Sequence, residues 1–172
     1  MIRSVTKEYV IHASAYPTEK VRHPQVFVMV VYAKNEIIAR SKMNKIILKK
    51  FKIKNPLLLK IEEIQPNNSQ LKINNYGITY VFRSRKGKHN MYKEFRALSK
   101  GEAVDMLVND MASKHRAQKN CLDVIEVKEI NNEEVKRMNV AQFAKDNVSF
   151  PIFRKQISIR QEFAPQNSEY FR

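Results

Sequence analysis

The chain has 172 residues, 43% of them hydrophobic, and a formal net charge of +15 from 32 Lys and Arg against 17 Asp and Glu. That apolar content excludes a disordered chain, and the length allows one medium domain or two small ones. The single cysteine excludes an internal disulfide, and the longest apolar run, Val26 to Tyr32, is of strand length and too short to cross a bilayer as a helix.

Thr6 to Ala15 alternates loosely between polar and apolar residues and reads as a strand, ended by the turn residues Tyr16-Pro17-Thr18. Val26 to Tyr32 is β-branched and aromatic, as expected of a central strand. Lys34 or Asn35 then opens a helix with Ala39, Met43, Ile46, Ile47 and Phe51 on one stripe. Its basic second half, Lys42 to Lys54, resembles a membrane-surface helix, but a sheet needs a cover and this helix supplies it with its lysines outward. Asn55-Pro56 ends the helical region, Leu57 to Ile64 returns as a strand, and residues 65–70 form a polar linker.

The same order then repeats. Leu71 to Phe82 reads as a strand in which Gly77 marks a bulge or a close approach. Arg83, Arg85, Lys86, Lys88 and His89 crowd around Gly87 in a basic loop, followed by a strand from Met91 to Leu98. Ser99 with Glu102 three residues on forms a capping box for a helix whose apolar stripe is Ala103, Val104, Leu107, Val108 and Met111. A second basic cluster, Lys114-His115-Arg116, closes that helix. Cys121, expected as a buried inert thiol, opens the closing strand Leu122 to Ile130. Residues 132–146 are expected to form a short helix, and no clear period follows. Sliding residues 34–64 by 66 positions pairs Lys34 with Lys100, Glu36 with Glu102, Glu63 with Glu129 and Ile64 with Ile130. The fold class expected is therefore α+β: two tandem β-β-α-β units, 1–66 and 67–131, each a small sheet covered by one helix, plus an irregular C-terminal extension, 132–172.

The charge excess is spread over these segments, +8, +5 and +2 in that order, so it belongs to the folded body and is not confined to a tail. Such a distribution suits a partner that is itself a polyanion, and phosphate is the usual one. Three glycines in the whole chain exclude a phosphate-cradling nucleotide loop, and no His or Cys pair has metal-ligand spacing, so no cofactor or metal is expected. Glu102, Asp105 and Asp110 read as helix charges offsetting nearby lysines. Three classes remain open on the residues alone: an RNA-binding scaffold, an RNA-processing enzyme using His89 or His115 as general base, and a basic membrane-surface adaptor.

Three blocks then carry a resemblance: Asn75-Tyr76-Gly77-Ile78, residues 84–94 (SRKGKHNMYKE) and residues 110–117 (DMASKHRA). With their spacing, they are similar to the eukaryotic large-subunit ribosomal protein family called L eighteen-a, or e-L twenty in the unified naming, which is related to the single-domain archaeal LX protein. Tyr16-Pro17-Thr18 with Lys20, Arg22 and Pro24, then Ala39-Arg40-Ser41-Lys42, Gln142-Phe143 and Phe150-Pro151, resemble further landmarks of that family. The resemblance implies two tandem α/β units and a non-catalytic role on large-subunit ribosomal RNA beside neighbouring ribosomal proteins. It further implies a cytoplasmic ribosome assembled in the nucleolus, with no membrane and no small-molecule substrate. Carried over by motif, the RNA-facing residues are Arg22, Arg40, Lys42, Arg83, Arg85, Lys86, Lys88, His89, Asn90, Tyr92, Lys114, His115 and Arg116. Arginines would fork onto phosphates, lysines would neutralise charge, and Tyr92 or His89 would stack on an unpaired base. Family members end in a strongly basic tail, whereas residues 165–172 hold one cation and one acid.

Overall fold

The computed structural model describes residues 6–65, 72–144 and 148. Most of the linker expected at 65–70, the Phe150-Pro151 landmark and most of the extension lie outside these residues. Among the described residues the order is β1 (Lys7–Ser14), β2 (Val26–Ala33), α1 (Glu36–Phe51), β3 (Leu57–Ile64), β4 (Asn74–Arg83), β5 (Lys88–Ala97), α2 (Lys100–His115) and β6 (Leu122–Ile130). A 3-10 turn (Asn132–Glu134) and a single-turn helix, α3 (Met138–Ala141), follow. The strands form two antiparallel three-stranded sheets, ordered β2-β1-β3 and β5-β4-β6, each covered by one helix. The expected α+β pair of β-β-α-β units is the observed fold.

Each core follows from the period of its elements. Tyr9, Ile11 and Ala13 alternate onto one face of β1 and meet Ala39, Met43 and Ile47 of α1, spaced by four along the helix. In the second unit, Tyr76, Ile78 and Tyr80 of β4 meet Ala103, Leu107 and Met111 of α2. Ser99 caps α2, accepting from the Glu102 N–H at 3.2 Å, while the Glu102 carboxylate accepts from the Leu98 N–H at 2.8 Å. The repeat is therefore physical, although its offset drifts. The N-caps Asn35 and Ser99 and the C-caps Lys52 and Arg116 are 64 positions apart. The closing strands are offset by 66, because Leu59 and Ile125 are the extra residues of matching bulges opposite His12/Ala13 and Thr79/Tyr80.

Four expectations change in the structure. β5 begins at Lys88, not Met91, because Arg83 and Lys88 already pair across the hairpin. The bulge of β4 falls at Thr79/Tyr80, leaving Gly77 as a close-approach site. A Cβ there would lie 2.5 Å from Ile130 Cδ1 and 2.6 Å from the Tyr92 hydroxyl. The helix expected over 132–146 is reduced to a 3-10 turn and the one turn of α3. Cys121 is half-buried rather than buried, at the end of a short 3-10 turn.

The two units are joined through the start of α2. Thr6 donates from its backbone N–H and its hydroxyl to the Asp105 carboxylate, at 2.8 and 2.5 Å. Lys100 reaches Glu8 at 3.4 Å. Tyr32, a residue of the first sheet, is buried in the second core and donates to Glu8. Burial and the adjacent Glu8 carboxylate push its phenol well above the usual range.

Candidate nucleic-acid interface

The basic loop is a four-residue turn. Ser84 donates its backbone N–H to the Gly87 carbonyl at 2.8 Å, and the Gly87 N–H donates back to Ser84 Oγ at 3.2 Å. Gly87 has no positive φ and open space around it, so the turn does not require glycine. Arg85 and Lys86 occupy the exposed tip, and Lys88, His89 and Asn90 are exposed at the start of β5.

The second basic cluster lies beside the first. Phe82 near the end of β4 has the His89 ring on one side and the His115 ring on the other, each with centroids 6.1 Å away. This places the hairpin and the C-terminus of α2 at one end of the unit. Lys114 is directed by Asp110, which it meets at 2.8 Å and which also accepts from Lys93. Burial raises the Asp110 carboxyl, but the bonds from Lys114 and Lys93 outweigh this and hold it below its usual value. Arg116 ends the helix with φ of 52°, its N–H donating to the Ala112 carbonyl at 3.1 Å. A cation therefore stands where glycine is the commonest solution. Cations at this end also suit the negative end of the helix dipole.

The remaining expected residues are distributed elsewhere. Arg83 turns back into the protein, donating to the Asn120 carbonyl at 2.7 Å and to Asp123 at 3.1 Å. Lys42 is half-buried and donates to the Tyr32 carbonyl at 2.5 Å. Burial, and next Lys119, lowers its ammonium pKa. Tyr92 lies on the face of the second sheet away from α2, over Gly77, and its phenol is pushed up to about 12 by burial and its bond to Glu94. Arg22 and Arg40 are exposed on the first unit, in the β1–β2 loop and on α1. The structure thus brings Arg85, Lys86, Lys88, His89, Lys114, His115 and Arg116 together, while Arg83, Lys42 and Tyr92 make internal contacts. Sequence reasoning missed Phe82, the ring between the two histidines, because on a strand it reads as core. It also missed Asp110 as the residue that orients Lys114, for which the four-residue spacing was the available signal.

The chemistry of the cluster is that of an anion receptor. Ser84 Oγ lies 2.8 Å from His89 Nε2, the pairing a nucleophile and base would need. Yet Ser84 Oγ is also within bonding distance of the Gly87 carbonyl, and no carboxylate orients His89 among the described residues. No group of three His, Cys, Asp or Glu among the described residues could hold a metal, and no described helix is long and apolar enough to cross a membrane.

Residues 6–128 match the ribosomal protein family described as 50S-L18Ae and 60S-L20, the latter also called 60S L eighteen-a. The chain belongs to this family. It is 36% identical over 148 residues to the large ribosomal subunit protein eL20 of Spodoptera frugiperda, covering 85% of this chain and 83% of the relative. The eL20 protein of Drosophila melanogaster is 32% identical over 155 residues, covering 89% and 87%. That of Tetrahymena thermophila is 33% identical over 150 residues, covering 86% and 79%. The family match takes in both sheets, both covering helices and both basic clusters.

Proposed function

We infer that the chain is a structural constituent of the large ribosomal subunit, binding and ordering ribosomal RNA without turnover. Membership of the ribosomal family over residues 6–128 carries the reading. The convergence of the hairpin tip and the α2 terminus around Phe82 supports an RNA-facing end on the second unit. In this reading Arg85 and Arg116 fork onto phosphates, Lys86, Lys88 and Lys114 neutralise charge, and the imidazoles of His89 and His115 stack or hydrogen-bond at an unpaired base. Segments 1–66, 67–131 and 132–172 act as two RNA-facing units and an extension. The protein works on the cytoplasmic ribosome, among neighbouring large-subunit proteins, after assembly in the nucleolus.

The test is the salt dependence of binding to transcribed large-subunit ribosomal RNA. Replacing Arg85, Lys86 and Lys88 with alanine should reduce the slope of log affinity against log salt by about 2, since each lost phosphate contact removes about 0.7–0.9. An unchanged slope would mean the hairpin faces away from RNA. The RNA should remain intact throughout, and cleavage abolished by His89→Ala with His115→Ala would replace the scaffold by an enzyme.

A further inference from the structure

The end of the first unit repeats, residue by residue, the basic end of the second. In the β1–β2 loop, Thr18 donates its N–H to the Val21 carbonyl at 3.0 Å, and the Val21 N–H donates back to Thr18 Oγ1 at 3.3 Å. This is the bonding pattern of the Ser84–Gly87 turn, displaced by 66 positions. The same displacement places Lys20 on Lys86, Arg22 on Lys88 and His23 on His89, and all six are exposed. At the helix ends, where the displacement is 64, Lys50-Phe51-Lys52 falls on Lys114-His115-Arg116. Lys52, like Arg116, ends its helix with a positive φ, here 61°. Phe51 is 48% exposed and stacks on Phe27 with centroids 4.2 Å apart, so the hairpin and helix terminus meet at one end here too.

Two features separate this surface from an ordinary solvated helix face. From Ile37 to Ile61 the sequence has eight Lys and Arg and no acid. Among the described residues Lys49, Lys50, Lys52 and Lys54 also have no hydrogen-bonding or ion-pairing side chain, whereas Lys114 has Asp110. The helix dipole accounts for a cation or two at a C-terminus, not for an unopposed run of this length. A β-carbon at positive φ, where glycine is strain-free, also costs stability that something other than folding must offset.

We propose that this end of the first unit is a second RNA contact, pseudo-equivalent to the first, with Lys20, Arg22, Lys50 and Lys52 on phosphates and the exposed Phe51 ring on an unpaired base. The protein then bridges two RNA segments, one at the end of each unit. The proposal rests on the RNA-scaffold reading and extends it to residues that reading does not use.

Two matched variants of the full chain test it, titrated with transcribed large-subunit ribosomal RNA over a range of KCl. The first carries Lys20→Gln, Arg22→Gln, Lys50→Gln and Lys52→Gly; the second carries Lys86→Gln, Lys88→Gln, Lys114→Gln and Arg116→Gly. Each should flatten the salt slope by up to about 3, and the combined variant by the sum. Lys52→Gly alone should hold or raise the melting temperature while weakening binding, which separates lost contact from lost fold. A full slope in the first variant with a reduced slope in the second overturns the proposal alone. Full slopes in both overturn the RNA reading as well. Wild-type binding to phosphatidylserine vesicles, lost in the first variant while its RNA slope stays unchanged, would assign this end to a membrane surface and also overturn the proposal.

Discussion

Asp105 in α2 accepts two hydrogen bonds from Thr6, 99 positions earlier in the chain, one from its backbone and one from its hydroxyl. The approach is close because the residue one helical turn before Asp105 is Gly101. A β-carbon there would lie 1.8 Å from the Thr6 carbonyl oxygen, which no side-chain movement relieves. Gly101→Ala should therefore destabilise the protein by at least about 1–3 kcal/mol, the ordinary range for overpacking. The comparable Gly87→Ala change meets open space and should stay within about 0.5 kcal/mol. Chemical denaturation of both checks this, and equal effects would mean the units do not meet at Thr6.

Leu107 is fully buried between α2 and the second sheet. Truncating it to alanine removes its transfer free energy and leaves a cavity, so Leu107→Ala should cost roughly 2–5 kcal/mol. Met106, its neighbour on the exposed side of the same helix, should tolerate alanine with a change below about 1 kcal/mol. A loss under about 0.5 kcal/mol at Leu107 would mean the helix stripe does not face the sheet.

The elements and both helix stripes were legible because burial imposes a period, and Ala39, Met43 and Ile47 or Ala103, Leu107 and Met111 mark that period directly. What the sequence hid is contact between units, because a period tells which face is covered and not by what. Asp105 reads as a solvated helix charge in sequence, yet it holds Thr6. Lys42, which looked like a phosphate contact, instead donates to the Tyr32 carbonyl. Arg83 was likewise indistinguishable from Arg85 in sequence. Strand alternation turns Arg83 toward Asp123, while Arg85 stays at the tip. The histidines were legible as a pair beside cations, but their convergence on Phe82 needed the register of β4 against β5.

Asp110 makes stability depend on pH. Its carboxyl is held below its usual value in the folded protein, so the folded state binds its proton more weakly than the unfolded chain. The stabilisation is thus present above the unfolded value of about 3.9 and lost as pH falls through the folded one. Asp110→Asn should cost about 1 kcal/mol at neutral pH, and the gap to wild type should close at acid pH. A gap that stays constant between pH 7 and pH 2 would show that the ion pairs with Lys93 and Lys114 contribute nothing.

Glu94 holds the segment after β6 against the outer face of the second sheet. It is almost fully buried on β5, and its carboxylate accepts the backbone N–H groups of Lys136, at 3.1 and 3.2 Å, and of Arg137, at 2.8 Å. Arg137 also donates to the Tyr92 carbonyl at 3.1 Å, and Val140 beyond it is buried. Glutamine in place of Glu94 keeps the shape but substitutes an NH2 donor for one acceptor oxygen, setting donor against donor. Glu94→Gln should therefore cost about 1–3 kcal/mol. The loss should be local, because the contacts are to one short segment. Trypsin should cleave after Lys136 and Arg137 many times faster than in wild type, and the amides of these two residues should lose exchange protection while those of β4 keep theirs. Unchanged cleavage after both residues would mean the carboxylate is not what fastens the segment to the sheet.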